Sequence, residues 1–129
     1  MENKNKKILV YGSLRKGEYN YKRFKSMFKD GLKYIETLNI QGFRLYDLGS
    51  YPGIKETPTD TTLVVDVMEC DPACYASIYG MEIGANYVAK NIVINNEDHT
   101  IYVYQGSTHK LVESGDWSKY LSHEQLIEA

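Results

Sequence analysis

The segment Thr62–Cys70, TLVVDVMEC, is the strongest strand pattern in the chain, and its unbroken passage into a helix start limits the possible folds more than any other feature. Asp71-Pro72 supplies that start, an N-cap residue with proline at the first helical position. Ala73–Glu82 (ACYASIYGME) continues as a helix until Gly84 and Asn86 stop it. Tyr87–Asn95 reads as a strand, Asn96–His99 as a hairpin turn and Thr100–Gln105 as the strand that pairs back. Strands arranged in hairpins, with short helices and no βαβα alternation, predict an α+β fold whose antiparallel or mixed sheet curls.

The N-terminal half fits the same class. Residues 1–6 are polar and expected to fray. Lys7–Tyr11 (KILVY) is a short apolar run with β-branched residues, a buried strand stopped by Gly12. Gly12–Gly17 is a loop. In Tyr19–Lys29 the residues Tyr21, Phe24 and Phe28 recur at helical spacing with Lys22, Lys25 and Lys29 between them, and Asp30-Gly31 ends that amphipathic helix. Leu32–Leu48 alternates like strand, with Gly42 as a bulge or a turn between two strands. Gly49–Gly53 reads as a turn, and Ile54–Thr61, which carries Pro58, as a loop or hairpin tip. Ser114–Trp117 is a turn, and Ser122–Glu128 a last short helix capped by Ser122 in a tail that is peripheral after residue 120. With 129 residues, and no repeat or linker, a single domain over 1–129 is expected.

Composition removes several function classes. Fifteen Lys+Arg against seventeen Asp+Glu gives a net charge of −2, without the basic excess of a dedicated nucleic-acid binder. The basic residues of Arg15–Lys29 interleave with a helix's apolar face, which makes them a solvated outer surface. No apolar run approaches the ~20 residues of a membrane span. Ile8-Leu9-Val10 is too short for a signal-peptide core, so the expected location is cytoplasmic. Cys70 and Cys74 with three scattered histidines, in loops or at the tail, do not make a metal set, and the two thiols read as small semi-buried side chains.

Three places carry chemistry. A glycine at the end of the first strand frees consecutive backbone N–H groups at Gly12, Ser13 and Leu14, which suits an anion such as a carboxylate. The spacing is not that of a nucleotide phosphate loop, and Ser13 lacks the second flanking glycine of a nucleophile elbow. Glu82 stands at the end of an apolar helical segment, where desolvation and the helix's negative end both raise a carboxyl pKa and favour a general base near neutral pH. Tyr102 and Tyr104 share one strand face with Tyr87 on the hairpin partner, a candidate cavity mouth in a chain with twelve tyrosines.

Tyr11-Gly12-Ser13-Leu14-Arg15-Lys16-Gly17 followed by Asn20 resembles the opening motif of the gamma-glutamylcyclotransferase-like family, closest to its small gamma-glutamylamine cyclotransferase and AIG2-like members. The likeness continues through Gly42–Gly49, Tyr51–Gly53, Val65–Val67, Asp71-Pro72, the helix up to Glu82, Tyr87, Gly115–Trp117 and Tyr120. The chain departs from the family's usual residues at Val65, Tyr79, Ile83 and Ala89. The resemblance implies a small mixed β-barrel flanked by short helices, with Glu82 as catalytic carboxylate. Tyr11, Gly12, Ser13, Leu14, Asn20, Tyr87 and Tyr104 are its expected substrate-binding residues. The implied reaction releases 5-oxoproline and a free amine from a γ-glutamyl amide or peptide, without metal or organic cofactor. The expected partner is that small-molecule substrate, with no nucleic acid and no membrane; the sequence carries no signal for oligomeric state. The alternative reading is a non-catalytic module that binds a small ligand in the same cavity.

Overall fold

A computed structural model describes residues 4–58, 60–108 and 110–128. The order is β1 (Lys6–Val10), α1 (Tyr19–Phe28), a 3-10 turn (Lys29–Gly31), β2 (Leu32–Ile40), β3 (Phe43–Asp47), β4 (Pro52–Glu56), β5 (Leu63–Cys70), α2 (Pro72–Gly84), β6 (Tyr87–Ile94), β7 (Glu97–Tyr104), β8 (Lys110–Leu111) and α3 (Trp117–Glu128). Five strands form one sheet in the order β2-β5-β1-β7-β6, and three form a second in the order β4-β3-β8. β1 is central. It runs antiparallel to β5, with Leu9 opposite Val67, and parallel to β7, with Leu9 opposite Ile101.

The pleat of β1 divides the core in two. Ile8 and Val10 face α1 and α2 in a cluster with Phe24, Met68, Ile78 and Tyr102. Leu9 faces the other way, toward Leu45, Ile54, Val67 and Trp117, under the small sheet and α3. Both faces of β1 and β5 are covered, which is why their sequences are nearly continuous apolar runs. Each fully buried Ile or Leu of this kind contributes on the order of 1.5–3 kcal/mol. Cys70 and Cys74 are free thiols, fully buried in the helix-side cluster.

The α+β class and the mixed sheet are as expected. The ladder does not close into a barrel: among the described residues β2 and β6 remain as edges of the large sheet. Side chains span the seam instead, Lys55 Nζ donating to the Tyr104 carbonyl at 2.7 Å and the Tyr87 hydroxyl to the Pro52 carbonyl. At Gly42 the chain leaves the large sheet for the small one, so the two halves of Leu32–Leu48 do not pair with each other.

Four element expectations need correction. Lys6 already pairs with Cys70, so order begins before Lys7. Pro52–Glu56, read as turn and loop, is a strand whose first three residues are buried against β3. The β6–β7 turn sits at Asn95-Asn96, both with positive φ (52° and 66°), as a two-residue hairpin requires. His99 consequently lies buried on β7 with Nδ1 3.0 Å from the Glu97 carbonyl, not in a turn. The last helix begins at Trp117, not Ser122, because Asp116 accepts the N–H of Lys119 at 3.1 Å and so caps it. His109 lies outside the described residues.

Candidate active site

β1 ends at Val10, and the next eight residues turn sharply to reach α1. Arg15 N–H donates to the Gly12 carbonyl at 3.0 Å and Glu18 N–H to the Arg15 carbonyl at 2.9 Å, which closes two successive turns. Tyr21 N–H, in the first turn of α1, donates to the Ser13 carbonyl at 3.0 Å and ties the loop to the helix. The N–H groups of Gly12, Ser13 and Leu14 donate to no acceptor among the described residues. Glycine at 12 is a matter of space: a Cβ there would sit 2.5 Å from Pro52 Cγ.

The loop is held from below by a buried carboxylate. Asp66, 2% exposed in the middle of β5, accepts the Lys16 N–H at 2.9 Å and the Thr37 hydroxyl at 2.7 Å. Arg15 Nε lies 3.3 Å from the same carboxylate, and its Nη1 reaches Asp116 Oδ1 at 2.9 Å. One guanidinium therefore joins the loop to β5 and to the start of α3. A buried carboxylate needs such donors, and an aspartate inside TLVVDVMEC signals that need. Asp66 was a landmark of the resemblance, but its function as the loop's anchor was not read from the sequence.

Opposite the loop, α2 delivers Glu82 in its last turn, where Ala85 N–H closes onto the Met81 and Glu82 carbonyls. Glu82, Met81, Tyr87, Tyr51 and Pro52 line one cavity together with Tyr11, Gly12, Ser13, Leu14 and Asn20. Its volume is about 260 Å³, below the ~300 Å³ at which pockets for drug-sized ligands begin. That suits a ligand the size of an amino acid.

Burial pushes the Glu82 carboxyl up to about 7. Among the described residues nothing hydrogen-bonds it. Of the phenols lining the cavity, the Tyr102 hydroxyl is buried without a hydrogen-bond partner among the described residues, and two are committed elsewhere: Tyr11 donates to the Tyr102 carbonyl at 2.6 Å and Tyr87 to the Pro52 carbonyl. Both phenols are pushed up, first by burial and then by neighbouring groups that include Glu82. Glu82 thus keeps its oxygens available, and at neutral pH its two protonation states are close in energy. Ser13 Oγ accepts from Asn20 Nδ2 at 2.7 Å, and that amide is a donor, not a base. The geometry offers a proton carrier facing a set of unpaired amides, and it gives Ser13 no activation as a nucleophile.

Of the residues singled out in the sequence, Glu82, Tyr11, Gly12, Ser13, Leu14, Asn20, Tyr87 and Tyr102 line the cavity, and Tyr104 does not. Tyr104 stands behind Tyr87, with ring centroids 5.2 Å apart at 60°, and backs the wall. Tyr51, Pro52 and Met81 were not anticipated. Tyr51 and Pro52 belong to a stretch read as a turn, and Met81 has no pattern that separates it from a core residue. Among the described residues no three His, Cys, Asp or Glu side chains come together as a metal-binding group. Among them, too, no helix is long and apolar enough to cross a membrane.

Comparison with known proteins adds independent findings. Residues 8–119 match the family model described as gamma-glutamyl cyclotransferase, AIG2-like. The gamma-glutamylcyclotransferase family protein YtfP of Escherichia coli K12 is 32% identical over 114 residues, covering 86% of this chain and 95% of its own. A putative gamma-glutamylcyclotransferase of Vibrio cholerae is 32% identical over 120 residues, covering 85% and 93%. The crystal structure of PH0828 from Pyrococcus horikoshii superposes with a TM-score of 0.76 at 25% identity, covering 93% of this chain and 97% of that one.

Proposed function

The chain belongs to the gamma-glutamyl cyclotransferase, AIG2-like family, and from that premise we propose that it converts a γ-glutamyl amide or peptide into 5-oxoproline and a free amine. The observation that carries this reading is the Glu82 carboxyl: buried, pushed up to about 7 and without a protein partner among the described residues, in the cavity that Gly12, Ser13 and Leu14 also line.

The substrate's α-carboxylate lies against the unpaired N–H groups of Gly12–Leu14, held as an anion is held in a concave set of backbone amides. Its α-ammonium loses one proton to solvent and becomes a nucleophile. The nitrogen attacks the γ-carbonyl carbon, forming the N–C bond that closes a five-membered ring. Glu82 takes the second proton from that nitrogen. It gives this proton to the departing nitrogen as the γ-amide C–N bond breaks. Nucleophile and electrophile belong to one molecule, so the protein's work is to hold a folded conformer and carry one proton. A carboxyl near 7 suits both halves of that transfer at neutral pH. Asn20 orients the Ser13 hydroxyl, which remains free to donate to the substrate.

The four departures from the family's usual residues lie off the cavity wall. Tyr79 and Ile83 are 44% and 42% exposed on the outside of α2, Val65 is in the core under the small sheet, and Ala89 is packed on the helix side. That supports turnover over ligand binding alone. The test is a panel of γ-glutamyl amines, γ-glutamyl dipeptides and glutathione, with release of 5-oxoproline measured for the wild type and Glu82→Gln. The expected result is release from part of the panel and a loss of about 10²–10⁴ in turnover number in the variant. Ligands that bind and are never cyclised would leave a binding module. An unchanged turnover number in Glu82→Gln would remove the glutamate from its role.

A further inference from the structure

Arg23 stands on α1 at the edge of the cavity, and its contacts are with two residues of the cavity wall. Its Nε lies 3.3 Å from Asn20 Oδ1, and Nη2 lies 3.6 Å from Met81 Sδ on α2. The guanidinium also covers the Phe24 ring at 4.9 Å. An amide oxygen, a thioether and an aromatic face orient a cation without neutralising it. Among the described residues Arg23 makes no ion pair, and it is exposed, so beside Asn20 and Met81 it keeps N–H groups that no protein acceptor takes. Three other cations have partners of their own: Arg15 is held by Asp66 and Asp116, Lys25 donates to the Leu32 carbonyl and Lys55 to the Tyr104 carbonyl.

We propose that Arg23 is a specificity-determining residue whose guanidinium, bridging Asn20 and Met81 at the cavity rim, selects γ-glutamyl compounds whose leaving amine carries a carboxylate. This rests on the cyclisation reading, which assigns the α-carboxylate to the loop amides. The second carboxylate of a γ-glutamyl amino acid is then the one that reaches the rim. An oriented guanidinium matches a carboxylate's two oxygens. The same charge disfavours a leaving group that ends in an ammonium. Because the site is open to water, the effect is that of an exposed ion pair, a few-fold in affinity and weakened by salt.

The experiment compares γ-glutamylglycine, γ-glutamylmethylamide and the mono-γ-glutamyl amide of ethylenediamine, whose leaving groups are anionic, neutral and cationic. Binding is measured by calorimetry in the Glu82→Gln background, with and without Arg23→Gln, at low and high salt; 5-oxoproline release is measured with Glu82 intact. The expected result is preferential binding of γ-glutamylglycine by about three- to fivefold over the methylamide. Arg23→Gln abolishes that preference, high salt shrinks it, and Arg23→Lys retains part of it. In turnover the loss appears in KM for γ-glutamylglycine, with kcat unchanged. An equal loss for all three ligands would overturn the proposal, since it would mean that Arg23 acts through Asn20 on the loop. An unchanged preference in Arg23→Gln would overturn it as well. If the charge-dependent binding appears while no ligand is cyclised by the wild type, the cyclisation reading fails and the rim selection stands.

Discussion

Glu82→Gln is expected to stabilise the protein increasingly as pH rises, while it destroys turnover. The carboxyl has an ordinary value of 4.5 and stands at about 7 in the folded chain, for the single reason that it is buried. The native state therefore holds this proton more tightly than the unfolded state does. Below pH 4.5 both states are protonated and the group is neutral with respect to stability. Between 4.5 and 7 the unfolded chain ionises first, so stability falls as pH rises; above 7 the loss is complete and constant. At 1.36 kcal/mol per pH unit the full loss is about 3 kcal/mol. Glutamine cannot ionise and escapes it. A buried amide without partners has its own cost of about 1–3 kcal/mol, but that cost does not change with pH. The diagnostic quantity is thus the change in the difference between variant and wild type. Urea unfolding of both proteins at pH 5 and pH 8 should move that difference by about 2–3 kcal/mol in favour of glutamine. Over the same interval the wild type's kcat/KM should climb, as the base form of Glu82 and the free amine of the substrate appear. A difference that moves by less than about 0.5 kcal/mol would refute burial as the cause and leave the carboxyl an ordinary solvated one.

The remaining predictions concern the frame around the cavity. Asp66→Asn removes the charge that answers Arg15 inside the fold, so a loss of about 3 kcal/mol in urea unfolding is expected, with a raised KM because the Lys16 N–H loses a charged acceptor. Wild-type stability and KM in that variant would show that the loop is held elsewhere. Gly115→Ala should be worse: its Cβ would lie 1.8 Å from the Thr62 carbonyl oxygen at φ +68°, and a drop of more than about 3 kcal/mol in stability, or failure to accumulate folded protein, is expected by thermal unfolding.

How much was legible depended on whether a signal was local. The helix start at Asp71-Pro72 was readable because cap and proline act within one turn, and Asp71 indeed accepts the Cys74 N–H at 2.8 Å. β4 was not, because proline and glycine announce a turn unless something distant covers them. Here Gly53 is required for that cover: a Cβ would meet Leu48 Cδ1 and Tyr104 Cβ at 2.8 Å. A local rule misplaced the last helix as well. Asp116 has the composition of a turn residue and the geometry of a cap, and only its bond to Lys119 decides between them. The cavity wall contributed by Tyr51 and Pro52 was hidden with β4, since both lie in the segment where the local signal pointed away from strand.

The two buried carboxylates show why the site was only half readable. Asp66 and Glu82 each stand among apolar neighbours, and the sequence gives them the same appearance. Around Asp66 the fold assembles a guanidinium, a backbone N–H and a hydroxyl, from the loop after β1 and from β2. Around Glu82 it assembles a cavity lined by tyrosines, of which Tyr11 and Tyr87 point their hydroxyls to carbonyls and none donates to the carboxylate. Satisfied by donors, a carboxylate fixes structure; left without them, it shifts toward its protonated form and becomes able to move a proton. The partners that separate the two cases come from residues 15, 16 and 37 for one, and fail to arrive for the other. What separates the two carboxylates is the set of hydrogen bonds that the fold supplies to one and withholds from the other, and that is a property of long-range packing.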